Sequence, residues 1–240
     1  MTAPRALEPF DAAGNAPLPS AVTHVWYAAY GSNTQPERLA HYLTGGRPPG
    51  GLRDFSGCRD PRGPLRSAPV LLRGRLYFAT ESAVWTGGRA FYDPDADGEL
   101  PAHAYLLTLS QFSDIASQEM YRDPVQDLDL TPVLTHGRAR LGPGRYETLV
   151  CAGRLDGHPV LTFTAPWRST DVPPNPPSAA YLRHIAAGIS AAHGWTPHRT
   201  ATHLAACPGV HPRWSVPRIA SLPAPDRPVP APAAPPPPAH

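Results

Sequence analysis

The chain has 240 residues, 41% of them hydrophobic, and a formal net charge of +2. This length suits one domain with extensions and allows a sizeable core. So small a charge argues against a broad nucleic-acid surface. All 21 basic residues are arginine, which excludes Schiff-base chemistry, pyridoxal phosphate attachment and a phosphate-loop lysine. Three distant cysteines give no disulfide framework. No stretch is typical of a signal peptide or a membrane span, so we expect a soluble, cytoplasmic protein with no membrane partner.

Composition divides the chain into four parts. Residues 1–20 are rich in Ala and Pro and predict a flexible N-terminal segment. Residues 222–240 are almost entirely Pro and Ala and predict a disordered tail. Between them, 21–195 predicts one domain, and 196–221 predicts a C-terminal extension that packs on it through its large apolar side chains.

Strand patterns outnumber helix patterns along this domain. Three helices are predicted, near 36–44, 111–121 and 178–192. Many short strands with few helices indicate an α+β fold, and we expect a small mixed β-barrel with packed helices. The predicted strands are 70–72, 75–79, 90–92, 102–109, 146–152 and 159–164.

The segment from Trp26 to Glu37 reads as a buried strand that breaks at Gly-Ser-Asn and opens directly into a helix. Thr34 and Glu37 have the spacing of a capping box, and Pro36 suits a first helical turn. A tight loop at a helix start gathers unpaired backbone N–H groups, which bind a carboxylate or a phosphate. An ordinary, well-capped turn fits the same spacing.

A second segment places a carboxylate on an apolar helix face. With Ser110 as the predicted N-cap, Phe112, Ile115 and Glu119 recur at helical spacing. Desolvation on such a face would raise the pKa of Glu119 toward the value a general base needs. A glutamate at the rim of the apolar stripe, reaching water or an arginine, is the alternative.

Four segments in order resemble the gamma-glutamylcyclotransferase (AIG2-like) family. They are Tyr27–Asn33 (YxxYGSN), Trp85–Ala90 (W-x-GG-x-A), Ser117–Glu119 at the end of a helix, and Pro177–Gly188 (P-S-x-x-Y-x-x-x-I-x-x-G). The resemblance covers about 25–195 and implies a small β-barrel with helices around it. Met120 departs from the family, which often has glycine there.

The resemblance implies a metal-independent, cofactor-free ring closure of a γ-glutamyl amine. The turn at 30–32 would hold the α-carboxylate. Glu119, the implied catalytic residue, would take a proton from the α-amino group and return it to the leaving nitrogen, releasing 5-oxoproline and an amine. The implied substrate-binding residues are Tyr27, Tyr30, Gly31, Ser32, Asn33, Trp85, Gly87 and Gly88.

Three other functions remain open at this stage. Glu119 could serve an acyl transferase or amide hydrolase on the same fold, or the cradle could belong to a non-catalytic module that binds small carboxylates. A metal-dependent deacylase would need a His/Asp zinc site. The tract of His198, His203, Cys207 and His211 matches no standard zinc spacing, so surface histidines and no metal are expected. The sequence leaves the oligomeric state open.

Overall fold

A computed structural model describes residues 3–11, 22–47 and 53–225 of the chain. A short 3-10 turn, Ser32–Thr34, precedes the first helix. The strands are β1 (His24–Ala29), β2 (Arg66–Arg73), β3 (Arg75–Ala79), β4 (Arg89–Asp93), β5 (Glu99–Thr108), β6 (Arg138–Arg140), β7 (Thr148–Leu155) and β8 (His158–Thr164). The helices are α1 (Pro36–Thr44), α2 (Leu109–Glu119), α3 (Thr131–His136), α4 (Ala179–His193), α5 (Pro197–Ala205) and α6 (Val216–Ala220).

The fold is a mixed α+β arrangement around a six-stranded sheet in the order β2-β5-β1-β8-β7-β6. Strand β1 lies in the middle, antiparallel to β5 and parallel to β8. Because β1 is covered on both faces, its sequence is apolar almost throughout. Its carboxyl end leads straight into the turn at 31–34.

The predicted α+β fold is confirmed, but the expected small β-barrel does not close within the part of the chain that the structure describes. Strands β2 and β6 end the main sheet, and β3 pairs with β4 in a separate two-stranded sheet. Between β4 and β8, a side chain takes the place of a backbone ladder. The Thr164 hydroxyl accepts from Tyr92 N at 3.0 Å and donates to Tyr92 O at 2.7 Å. The sheets therefore touch without closing.

Alternate residues of β1 enter two different cores. Trp26 and Ala28 join a cluster with β2, β5, α4 and the segment after residue 196, whereas Val25 and Tyr27 join a cluster with α1 and α2. This alternation follows from the two-residue period of a strand. The segment 196–221 packs into the first cluster through Leu204, Trp214 and neighbouring apolar residues.

Part of the N-terminal segment differs from the flexible segment expected over 1–20. Residues 3–11 lie against the main sheet, where Arg5 N donates to Pro69 O at 2.8 Å and Glu8 N donates to Arg154 O at 2.9 Å. An ion pair of 2.6 Å joins Arg5 to Asp156. Open strand edges supply these backbone partners, and composition gives no sign of such pairing. Residues 12–20 lie outside the described residues, as does most of the predicted tail, 226–240.

Helix positions are confirmed, but two predicted caps are wrong. Helix α1 begins at Pro36, yet its N-cap is Gln35 and no capping box forms. Helix α2 begins two residues early, with Thr108 as N-cap in a capping box with Gln111, so Ser110 lies inside the helix. The short elements α3, β6, α5 and α6 were not predicted, because pieces of three to nine residues show little periodicity.

Candidate active site

A pocket opens where the carboxyl end of β1, the end of α2 and the loop before β4 meet. Seven of the nine sequence-predicted site residues line it: Tyr27, Tyr30, Gly31, Ser32, Asn33, Trp85 and Glu119. Residues that the sequence analysis did not assign to the site share the lining: Arg38, Tyr42, Arg53, Phe55, Ser82, Val84, Arg89, Ala90, Tyr121, Tyr146, Phe163 and Tyr181.

Hydrogen bonds within the turn and from two buried side chains hold the turn at 31–34 in place. Thr34 bonds back to Gly31 O through its backbone N at 3.2 Å and its hydroxyl at 2.8 Å. The carbonyl of Thr34 accepts from His103 Nδ1 at 2.9 Å and from the Tyr105 hydroxyl at 3.0 Å. Burial lowers the pKa of His103. His103 Nδ1 also lies 2.8 Å from the Tyr105 hydroxyl, so the two side chains together support the turn through the Thr34 carbonyl.

The turn carries polar atoms without protein partners, and its residues line the pocket. Within the turn, only the N–H groups of Thr34 and Gln35 donate to backbone carbonyls. The N–H groups of Ser32 and Asn33 have no acceptor within the turn. Asn33 is 4% exposed, its Nδ2 lies 3.4 Å from the Tyr27 hydroxyl, and its Oδ1 has no hydrogen-bond partner. A buried unpaired amide oxygen is costly unless a ligand satisfies it.

Glu119 lies at the last residue of α2, half-buried in the pocket. Its Oε1 accepts a hydrogen bond from the Tyr42 hydroxyl of α1. Burial raises the pKa of Glu119, while the Tyr42 hydrogen bond and the charges of Arg53, Arg38 and Arg89 act in the opposite direction. A carboxyl under such opposed influences can both accept and donate a proton at moderate pH.

A strained residue ends α2 at the mouth of the pocket. The helix stops at Glu119 instead of continuing to Tyr121, and the N–H groups of Tyr121 and Arg122 bond to Gln118 O and Ser117 O. This Schellman arrangement needs a left-handed residue, which is usually glycine. Here Tyr121 takes it, with φ of 58°. Its ring is 55% exposed and has the Arg53 guanidinium 4.5 Å from its centre.

Aromatic side chains form the opposite wall. Trp85 stacks on Tyr181 with ring centres 5.2 Å apart and planes 15° from parallel. The guanidinium of Arg38 lies 4.9 Å from the centre of the Trp85 ring. Tyr181 is 5% exposed and also lines the pocket.

Gly87 and Gly88, expected to bind substrate, are absent from the pocket lining. They lie against the segment 175–177 instead. Gly88 N donates to Pro176 O at 2.9 Å, and a Cβ on Gly88 would lie 1.8 Å from Asn175 O. Their lack of side chains permits a close backbone approach, and the backbone that approaches belongs to this segment.

Some of the unassigned residues had a signal in the sequence. Arg38 and Tyr42 are four residues apart on α1, so they share one helix face. Both reach the pocket that the preceding turn begins. Arg53 and Tyr146 come from irregular segments, which give no periodic pattern to read.

The described ranges contain no group of three or more His, Cys, Asp or Glu placed to hold a metal ion. In the His/Cys tract, His198 and His211 are exposed as expected, but two members differ. Cys207 is 5% exposed in the first core, and the half-buried His203 has an Nε2 without a partner. No helix in the described part of the chain is long and apolar enough to cross a membrane.

Comparisons with known proteins give partial likenesses. No family model matches the chain. Histone deacetylase 5 of Arabidopsis thaliana is 32% identical over 201 residues, which cover 76% of this chain but 30% of that protein. An uncharacterized protein of Homo sapiens has a TM-score of 0.44 at 18% identity over 78% of this chain and 89% of its own. A gamma-glutamyl cyclotransferase has a TM-score of 0.43 at 16% identity, over 82% of this chain and 98% of its own.

Proposed function

We propose that this chain is a gamma-glutamylcyclotransferase-like enzyme that closes a γ-glutamyl amine into 5-oxoproline and releases the amine. The observation that carries this proposal is the placement of Glu119. A half-buried carboxylate with a hydroxyl partner faces a turn whose N–H groups and amide oxygen suit an amino-acid head group. The four motif segments that resemble the family support the same reaction. We expect the enzyme to act in the cytoplasm, since its three cysteines are free.

The turn holds the head group of the substrate. The α-carboxylate accepts from the backbone N–H groups of Ser32 and Asn33. The α-amino group donates to the unpartnered Asn33 Oδ1, which thereby gains its missing hydrogen bond. Because the turn is rigid, these contacts fix the direction in which the amino nitrogen points, and positioning supplies much of the rate of an intramolecular reaction.

Glu119 moves the protons. As a carboxylate it takes a proton from the α-ammonium group, and the freed nitrogen attacks the γ-carbonyl carbon to form the ring C–N bond. The oxyanion that develops on the carbonyl accepts from the Tyr27 hydroxyl, which lines the same pocket. Glu119 then returns this proton to the leaving nitrogen as the bond from that nitrogen to the γ-carbon breaks and the carbonyl re-forms. The regenerated carboxylate takes the second proton from the ring nitrogen, which leaves a neutral lactam, and this proton departs with the released amine as its ammonium ion. No step consumes a cofactor.

The first experiment is a screen of γ-glutamyl amines and γ-glutamyl dipeptides in the presence of a metal chelator. The readout is the amount of 5-oxoproline formed. Glu119→Gln is the test variant, because it keeps the shape and removes the basic carboxylate. We expect lactam from the wild type and at least a ~100-fold loss in the variant, the usual scale for a lost acid/base group.

The other outcomes separate the competing functions. Free glutamate in place of lactam would refute cyclisation and point to an amide hydrolase, and transfer to an added amine would point to an acyl transferase. Binding without turnover, equal in wild type and Glu119→Gln, would identify a binding module.

A further inference from the structure

The pocket carries more positive charge than its carboxylate can balance. Arg38 of α1, Arg53 of the loop after α1 and Arg89 of β4 all line it together with Glu119. None of these three arginines forms an ion pair with a carboxylate within 3–11, 22–47 and 53–225. Eight of the other seventeen arginines in those ranges do: Arg5, Arg47, Arg59, Arg62, Arg66, Arg122, Arg138 and Arg168.

The three guanidiniums have donors to spare. Arg53 donates to Gln118 O at 2.5 Å, and Arg89 reaches the Thr80 hydroxyl at 3.5 Å. The buried Nε of Arg38 has no hydrogen-bond partner, and its guanidinium lies over Trp85. Since each guanidinium offers five N–H donors, most of them remain open to a ligand. All three charges oppose the rise that burial causes in the pKa of Glu119. The guanidiniums therefore lie close enough to Glu119 to interact with a ligand beside it.

Charge balance then describes the ligand. Three guanidiniums and one carboxylate leave an excess of two positive charges. The γ-glutamyl head group does not cancel it, because its α-carboxylate and α-ammonium compensate each other. All three arginines are half-buried, so water screens part of this excess, and a paired anion would still bind favourably to them. Two further negative charges would complete the balance, and the part of the substrate beyond the γ-carbonyl is where they would lie.

We propose that Arg38, Arg53 and Arg89 form a second anion subsite, and that the leaving amine of the substrate carries two negative charges. This rests on the proposed function. The group is a dicarboxylate or a phosphate monoester, both of which the planar, multiply donating guanidinium binds well. A cationic leaving amine would add to the uncompensated charge and is selected against.

The test compares γ-glutamyl compounds that differ in the leaving amine: propylamine, alanine, aspartate, O-phosphoethanolamine and putrescine. The measurement is kcat/KM for 5-oxoproline release. We expect aspartate or O-phosphoethanolamine to exceed propylamine by about 100-fold, since two charge pairs each contribute about tenfold, with alanine between them and putrescine last. Whichever dianion is preferred identifies its chemistry. Equal rates for alanine and the dianions, or for propylamine and the dianions, would overturn the subsite while leaving cyclisation intact.

Arginine variants test which residues cause the preference for a dianionic leaving amine. Arg53→Gln and Arg89→Gln should each cut the ratio of dianion to propylamine about tenfold, whereas Arg53→Lys and Arg89→Lys should keep much of it. Arg218→Gln, an exposed arginine of α6, is the matched control and should change nothing. If the glutamine variants keep the full ratio, the subsite is wrong.

Binding separates failure of the subsite from failure of the reaction. If no compound yields lactam, calorimetry measures the affinity of the aspartate, phosphate and propylamine compounds for Glu119→Gln. A dianion preference that Arg53→Gln removes would uphold the subsite and refute the reaction. Equal affinity for all three compounds, or no binding, would overturn the subsite as well.

Discussion

Removing the Tyr42 hydroxyl should raise the pKa of Glu119 and displace the pH profile. This hydroxyl is the hydrogen-bond donor to Glu119 Oε1, and Tyr42 is 5% exposed. A hydrogen bond to a charged group contributes about 1.5–3 kcal/mol, and one pKa unit corresponds to about 1.4 kcal/mol. Because the bond stabilises the carboxylate, Tyr42→Phe should destabilise the ionised form of Glu119 by about 1.5–3 kcal/mol and so raise its pKa.

The assay is kcat/KM for 5-oxoproline release from pH 4.5 to 9, whose acid limb reports the general base of the free enzyme. The limb should move to higher pH in Tyr42→Phe. Tyr146→Phe is the matched control, because Tyr146 lines the same pocket but donates to the backbone Ala90 O at 3.0 Å. Its limb should stay in place.

A carboxyl titration by NMR, with ¹³C-labelled glutamate, follows the same pKa without any substrate. An active Tyr42→Phe enzyme whose acid limb and Glu119 titration both coincide with the wild type would refute the reasoning.

Three further substitutions test how the structure holds the site. In Gly188→Ala the new Cβ would lie 2.0 Å from Thr34 Oγ1, so we expect the turn to shift, activity to fall and urea unfolding to show a loss of about 1–3 kcal/mol. Arg59→Gln removes the ion-pair partner of Asp114, whose side chain is 0% exposed. Because the Arg59 side chain is 38% exposed and Asp114 keeps the hydrogen bond from the backbone N of residue 59, we expect a loss of about 1–3 kcal/mol in the same measurement. Burial lowers the pKa of His203 to about 4; since the unfolded value is about 6.5, stability should fall as pH drops from about 6.5 toward 4, less so in His203→Gln.

Each of these has a control or a contrary result. Gly63→Ala meets open space and should be neutral within about 0.5 kcal/mol. Arg62→Gln breaks an ion pair whose arginine side chain is 80% exposed and should cost under about 1 kcal/mol. Equal losses in Arg59→Gln and Arg62→Gln would contradict the importance of burial. Parallel pH-stability curves for wild type and His203→Gln would show that His203 does not titrate between those limits.

Local chemistry made much of the site predictable. Strand β1, the turn after it and Glu119 on the apolar face of α2 all follow from patterns within a dozen residues. Local patterns did not predict that the sheet stays open. Whether β4 and β8 pair by backbone or by the Thr164 side chain depends on contacts between residues 72 positions apart, and no local period records them. The sequence did not predict the pocket arginines for a related reason. Whether an arginine forms an ion pair depends on which carboxylates the fold places beside it.

The loop that carries Arg53 shows how such long-range contacts place the site. Helix α2 binds this loop through several hydrogen bonds. Among them, Asp114 accepts from Arg59 N at 2.8 Å, and Gln118 Oε1 accepts from Gly57 N at 3.3 Å. Gln118 Nε2 also donates to Tyr42 O at 3.0 Å, which ties α1 to the same helix.

One face of α2 therefore positions the loop, the Tyr42 backbone and, one residue later, the carboxylate of Glu119. The proposed general base and the loop bearing Arg53 of the proposed anion subsite share a single rigid support. A loss of Asp114 should accordingly weaken selection between leaving amines before it alters the chemistry of Glu119. The backbone of Arg53 belongs to the loop, although its guanidinium also donates to Gln118 O of α2, whereas Glu119 belongs to the helix itself. Comparing the dianion ratio with the acid limb in Asp114→Asn measures the two effects separately.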